Sequence, residues 1–465
     1  MKNKNTRAYA GISCGLLTAA SLIPARADVA AASPALSPVW QKPAWLTELS
    51  LGARESYDDN ILLVSGKGLP THGSWITGIS PKVGFNLAPR LGTDSAFKSL
   101  TFLYAPDINI YHDAHQESDD AQRFMNCIKL AEDNFSLSIT NSFLYNNGSR
   151  TAPIYAESQA PGGNTLDKFR NFYGFAAPRE RRDQIQDRST VSMQYDSGDK
   201  TFLRPVASLL YYDLRTFFHN NTVAPYIGYQ NWPDRYDANG GADWGYRLAP
   251  SLAVTLGYRY GHQYQQQLPS SISPADSHYS SNDYQRALLG LEGSPWSWLT
   301  FKAQAGPDFR NYNSNAAVNN FHPIFLYAEG SATATITANQ SLSFYTKEWE
   351  WVSSAGLVPY YDSTYALTYH WNAARQLGFD LGGKVLNADF HSGTDLIGSE
   401  PSRRNDIEGC VSLGVSYAFT PHLSASVAYN YTLGRNLMKH LPSTLGPAYR
   451  DFDDDLATVG VQYKF

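Results

Sequence analysis

The chain reads as all-β: a transmembrane antiparallel up-and-down β-barrel of about 18 strands, roughly 16–20. Three observations predict it. Apolar and polar residues alternate with period two along most of the chain. Short turn signals and long polar segments take turns as connections. The 31 Tyr, 22 Phe and 10 Trp coexist with a mean hydropathy of only −0.37, the result when lumen residues dilute a lipid face.

At the start, Met1–Arg7 is basic, an apolar run follows to about Pro24, and Ala25-Arg26-Ala27 offers an A-x-A cleavage site. Residues 1–27 are therefore expected to be a secretory signal peptide, removed after export. Gly11-Ile12-Ser13-Cys14-Gly15 matches the G-x-S-x-G nucleophile pattern, but it lies in that segment and receives no catalytic role. Residues 28–44, rich in Ala and Pro, read as a periplasmic lead-in, and 45–465 as the barrel. No later run reaches 18 consecutive apolar residues, so no membrane-spanning helix is predicted.

Strand one sets Trp45, Leu49, Leu51 and Ala53 against Glu48, Ser50, Gly52 and Arg54. Strand two sets Trp75, Ile79, Val83, Phe85 and Leu87 against Gly78, Ser80, Lys82, Gly84 and Asn86. Strand three sets Leu100, Phe102, Tyr104, Ile108 and Ile110 against Thr101, Asp107 and Asn109. Clear alternation recurs in Phe135–Tyr145, Leu252–Tyr260, Ile324–Ile336, Ile407–Phe419 and Leu423–Leu433. In Phe202–Leu214 and Leu342–Trp351 both parities carry apolar residues, and a bulge is expected in each.

Tight turns are expected at Pro89–Ser95, Glu132–Asn134, Ser197–Lys200, Ala249–Ser251, Ser294–Ser297, Asn339–Gln340, Ala373–Arg375 and Thr420–His422. Between them lie longer polar segments at 58–73, 112–118, 149–184, 217–239, 266–280, 312–323, 354–360, 391–405 and 438–452. One-sided loop lengths are the habit of outer-membrane barrels, with periplasmic turns and extracellular loops. Eight turns and nine loops make about 18 strands with both ends periplasmic; Tyr226–Trp232 could add one.

The last stretch alternates strictly: Val459, Val461, Tyr463 and Phe465 are apolar, and Gly460, Gln462 and Lys464 lie between them. It resembles the terminal strand of Gram-negative outer-membrane proteins, which the barrel-assembly machinery engages and which closes on strand one. Tyr57-Asp58-Asp59-Asn60-Ile61 looks like the Tyr-Asp-Asn signature of an outer-membrane β-barrel porin family whose members often accompany exopolysaccharide export systems. Leu248-Ala249-Pro250-Ser251-Leu252, leading to Gly257-Tyr258-Arg259-Tyr260, is similar to that family's turns. The resemblance implies passive passage through the outer membrane of a Gram-negative bacterium, with saccharide chains among the candidates and polysaccharide export components among the candidate partners.

Given a barrel, function belongs to lumen and loops. Parity puts Glu48, Arg54, Lys82, Asp107, Lys129, Arg259, Arg286, Glu292, Lys302, Glu329, Lys384, Glu408 and Lys464 in the lumen. Their mixed signs favour interstrand pairs over a selectivity ring, which would gather one sign at one level. The longest loop, 149–184, is the third on its side; in many general porins the third loop narrows the pore. Lys168, Arg170, Arg179, Arg181 and Arg182 would then bring positive charge to a constriction able to clamp carboxylates or phosphates. An external loop resting on lipopolysaccharide phosphates is the alternative.

The acidic groups Asp58, Asp59 with Asn60, and Asp451 with Asp453, Asp454 and Asp455, have the ligand types of a Ca²⁺ site, but solvated loop charge is the simpler expectation. His112, Asp113, His115, Glu117, Asp119 and Asp120 likewise lack a fixed scaffold, so no metal and no cofactor is assigned. Cys127 and Cys410, far apart, make neither a disulfide framework nor a metal motif. A net charge of −5 argues against nucleic acid. The expected partners are outer-membrane lipids and lipopolysaccharide, and the oligomeric state is open. No enzyme is expected; a lipase- or protease-type barrel and an adhesive barrel with a plugged lumen are the alternative classes.

Overall fold

The computed structural model describes residues 42–61, 63, 71–92, 95–149, 182–214, 234–266, 280–312, 322–352, 359–390, 405–436 and 452–465. The expected signal peptide and most of the lead-in lie outside them. The strands are β1 (Leu46–Asp58), β2 (Ser74–Asn86), β3 (Phe97–Tyr104), β4 (Asp107–Tyr111), β5 (Asp119–Glu132), β6 (Phe135–Ser149), β7 (Arg182–Asp196), β8 (Thr201–Asp213), β9 (Arg235–Ala249) and β10 (Leu252–Gln265). They continue with β11 (Asn282–Trp296), β12 (Leu299–Tyr312), β13 (Ile324–Thr337), β14 (Gln340–Trp351), β15 (Tyr360–Asn372), β16 (Leu377–Phe390), β17 (Asn405–Ala418), β18 (Leu423–Asn436) and β19 (Phe452–Lys464). Among the described residues no helix is long and apolar enough to cross a membrane.

Every pairing is antiparallel between neighbours, and β19 pairs with β1, so the sheet closes on itself. β3 and β4 share one place in the ring, because both bond β2 and both bond β5. The break falls at Ala105-Pro106, where proline has no N–H for the ladder. The result is a closed antiparallel barrel of 18 strands. At the seam the register runs from Ser50↔Lys464 to Asp58↔Leu456, and Phe465 N donates to Leu49 O at 2.9 Å.

The alternation does what period two demands. Leu51, Trp75, Leu289, Val415 and Val427 stand exposed on the outer face, with Val459, Val461, Tyr463 and Phe465 beside them. Alternate residues turn inward. All eight turn signals fall in short connections at one end of the barrel, and the strand ends that flank the long segments lie at the other. The polar segment expected over 217–239 ends sooner, since β9 begins at Arg235; its lumen face is polar, which disguised it as loop. Tyr226–Trp232 lies outside the described residues.

The two expected bulges are absent. β8 pairs with β7 and β9, and β14 with β15, without a register shift through Phe202–Leu214 and Leu342–Trp351. Both parities carry apolar residues there because inward positions such as Phe202, Tyr212, Trp349 and Trp351 are themselves apolar and buried.

Facing can be tested at adjacent positions on β17. Arg at an outward mid-membrane site costs about 2–4 kcal/mol in a transmembrane barrel, and a lumen site tolerates it. Val415→Arg should reduce the folded, heat-modifiable fraction in liposomes, and Ser416→Arg should leave it near wild type. Equal behaviour would refute the outward assignment.

Candidate functional site: the barrel lumen

Inward residues of β1, β2 and β4 form one hydrogen-bonded group. Arg54 donates to both Asp107 carboxylate oxygens (2.7 and 3.1 Å), to Ser80 Oγ (2.7 Å) and to Asn109 Oδ1 (2.6 Å). Three strands are thereby tied through one guanidinium, whose planar fork suits a carboxylate. Lys82 lies on this face, across from Ser50.

A longer band crosses β8–β12. Arg204 holds Glu292 through both terminal nitrogens (2.7 and 2.8 Å) and Asp243 through Nε at 3.2 Å. Asp243 also pairs with Arg259 at 2.7 Å. Arg259 stands cross-strand from Arg286; the two like charges are separated in their loyalties, because Arg286 pairs with Asp308 at 3.0 Å. Asp308 takes Arg310 as well, at 2.7 Å. All are buried. The lumen charges at these strands are thus opposite-sign pairs, all but Asp308–Arg310 between strands, and not a ring of one sign.

Toward the long-loop end the lumen also holds an apolar cluster, set among buried polar residues. Tyr212, Leu214, Tyr327, Trp349, Trp351, Val352, Tyr360, Leu386, Phe390 and Phe452 form a buried cluster. The end of β14 turns into it. Trp349 and Trp351 stack at 4.7 Å between centroids. Arg235 on β9 donates to Val352 O at 2.8 Å, Gln263 on β10 donates to Glu350 O at 3.0 Å, and Arg310 on β12 donates to the same oxygen at 3.1 Å. Tyr312 Oη donates to Glu350 Oε1 at 2.9 Å. A strand end bonded to strands several places away must lean across the lumen. Arg235 also lies over the Trp351 and Tyr212 rings, and Arg286 over Tyr284 and Tyr327, cation–π arrangements that favour a buried guanidinium.

Glu408 faces inward beside this cluster on β17 and is fully buried. Arg182 opens β7, across from Ser149. Lys168, Arg170, Arg179 and Arg181 lie outside the described residues.

The signature residues sit at the seam. Tyr57 faces outward, half exposed, with its ring 5.2 Å from Trp75. Asn60 N donates to Asp58 Oδ1 at 2.9 Å, and Asn60 Nδ2 reaches across to Asp453 O at 2.7 Å. Asp59 N donates to Asp455 O, and Asp455 N returns a bond to Asp59 Oδ1 at 2.8 Å. This segment is a clasp that fastens the long-loop end of β1 to that of β19. The two acidic stretches are therefore not simply solvated loop charge: Asp58 and Asp454 are buried, and one oxygen each of Asp58, Asp59 and Asp454 come within 4.8 Å of one another. Sequence separation hid the meeting. The His112 stretch does not converge in this way: His112 Nε2 lies 2.8 Å from Thr77 Oγ1, and no metal-spaced group forms there among the described residues.

Sequence reasoning missed Arg204, Arg235, Asp243, Asp308, Arg310, Trp349 and Trp351. The signal for Arg204 and the tryptophans was present, in the two stretches apolar on both parities. For Arg235 and Asp243 it was the faint alternation of Arg235–Arg247.

No family model matches the chain, and no curated protein matches it. Solved structures to which it is similar include OccK2 (OpdF) of Pseudomonas aeruginosa in complex with glucuronate, at 11% identity and TM-score 0.40, covering 90% of this chain and 98% of that one. OccAB4 of Acinetobacter baumannii is similar at 13% identity and TM-score 0.39, covering 90% and 98%. The ferric citrate transporter FecA shows 13% identity and TM-score 0.38, and the match spans 90% of this chain and 64% of FecA.

Proposed function

We propose that this chain is an outer-membrane conduit for polar solutes, porin-like and without catalytic activity. The observation that carries the reading is the division of faces in a closed 18-strand ring: apolar side chains outward, charged pairs inward. A barrel of this size encloses enough space for an aqueous path. The short-turn end, where both termini of the barrel lie, is then periplasmic, and the long-loop end extracellular. Export would require the signal peptide of residues 1–27, and assembly the machinery that engages the terminal strand.

The constriction in this reading is the end of β14, where Trp349 and Trp351 stack, Arg235 lies over the Trp351 ring and Arg310 donates to Glu350 O. Aromatic faces and guanidinium forks are the chemistry that handles saccharides and their carboxylates. Saccharide passage, including exopolysaccharide chains, is the finer form of the proposal. The 149–184 loop with Lys168, Arg170, Arg179, Arg181 and Arg182 would add to the constriction.

Planar bilayer recording tests the reading. Discrete single-channel steps are expected, with reversal potentials in a salt gradient reporting charge preference. An assembled barrel that passes no current, as wild type and with Trp349 and Trp351 both replaced by alanine, would overturn it.

A further inference from the structure

Among the described residues, the outer face of β5–β7 carries a polar row at a depth where a lipid-facing surface is apolar. On β5, β6 and β7, Asn126, Asn141, Ser189 and Asp187 face outward and lie side by side, in the registers Asn126↔Asn141, Asn141↔Ser189 and Phe143↔Asp187. They form one hydrogen-bonded row. Asn126 Nδ2 donates to Asn141 Oδ1 at 3.3 Å. Asn141 Nδ2 in turn lies within reach of Ser189 Oγ (2.9 Å) and of Asp187 Oδ1 and Oδ2 (3.1 and 3.0 Å). Ser189 Oγ donates to Asp187 Oδ1 at 2.7 Å.

The row is inside the apolar belt, not at its edge. On β5 the outward neighbours above and below are Phe124 and Ile128; on β6 they are Phe143 and Ile139; on β7 they are Ile185 and Val191. Polar groups with unmade hydrogen bonds are costly in hydrocarbon, and an ionisable group at that depth marks a function. The row is also incomplete within one chain: Asn126 gives one hydrogen bond and accepts none among the described residues, while the Asp187 carboxylate can accept more than it receives.

We propose that the outward face of β5–β7 docks a second copy of this chain. The occupant follows from the polarity of the row, which has an amide at its β5 end and a carboxylate at its β7 end. A two-fold axis along the membrane normal sets the β5 end of one patch against the β7 end of the other. Asn126 of each copy then meets the partner's Asp187, so a donor faces an acceptor twice, as an isologous interface requires. Beside the row, Pro205, Ala207, Ala238, Gly240 and Ala242 make the outward face of β8–β9 flat, which lets two barrel walls approach closely. The inference needs the outer belt to lie in lipid, which the Val415→Arg test settles separately, and is independent of what the lumen passes.

The test uses the full chain in native outer membranes. Two differently tagged copies are co-expressed, extracted in mild detergent and purified through one tag. In parallel, Ser189→Cys is placed in a Cys127→Ser, Cys410→Ser background and treated with a short bis-maleimide, with Val427→Cys, on β18, as control. Expected are co-purification of the second tag and a dimer-sized product from Ser189→Cys but not from Val427→Cys. Asn126→Leu with Asp187→Leu should lower co-purification about tenfold or more, while the folded heat-modifiable form persists. The proposal is overturned if the second tag never co-purifies, if the leucine pair leaves co-purification unchanged, if Val427→Cys cross-links equally, or if Ser189→Cys links only to a different polypeptide or to lipid.

Discussion

Replacing Trp349 and Trp351 with alanine is expected to raise single-channel conductance severalfold while the barrel still assembles. The two rings are stacked, buried and set across the lumen by bonds from Arg235, Gln263 and Arg310. A pore's conductance is limited by its constriction, which the proposed function puts at these rings. The barrel's backbone ladder does not depend on these side chains, and its assembly is read by heat-modifiable migration. Deleting residues 151–177 in the same recordings separates the share of the third long loop. Unchanged conductance in the double alanine variant, beside a large rise in the deletion, would move the constriction from β14 to the loop.

The largest expected loss of stability comes from Asp308→Ala. Its carboxylate is fully buried and is shared by Arg286 and Arg310. Removing it leaves two buried guanidinium groups facing each other without their common counter-charge. Breaking a buried pair in this way costs about 3–5 kcal/mol, and salt should do little to soften it, because buried charges are poorly screened. Denaturant titration of the barrel in detergent micelles would show the midpoint fall. Asp308→Asn should lose less, since its amide oxygen still accepts from one arginine. A midpoint unmoved in the alanine variant would mean that water enters and solvates both arginines.

The architecture was legible because it rests on a local rule. Period two assigns each residue a face from its neighbours alone, so Arg54, Lys82, Arg259 and Glu408 could be placed inward without any knowledge of contacts. The strand count followed from turns, which are also local. What stayed hidden depends on which strands meet. Nothing near Asp58 in sequence announces Asp453 or Asp454. Trp349 and Trp351 broke the alternation visibly, but their explanation, a buried aromatic cluster inside the lumen, needs the far wall formed by β9 and β12. A bulge was the local explanation for a non-local cause.

The ring's seam has a kinetic consequence. Counting β3 and β4 as one place, all joins but one link strands consecutive in the chain, closed by short turns at one end and by longer segments at the other. The join of β1 to β19 unites residues 412 positions apart in the Gln462–Ser50 hydrogen bond. Bringing such distant ends together costs about 5 kcal/mol of chain entropy, from the logarithmic growth of that cost with loop length. Until it forms, two unpaired edges stay available to recruit a strand from another molecule. The Asp59–Asp455 and Asn60–Asp453 bonds are therefore a latch on the slowest contact, made at the end opposite Phe465. Zippering from the terminal aromatic toward this latch would give closure a direction, and a barrel without the latch should be trapped open longer than it is destabilised once shut.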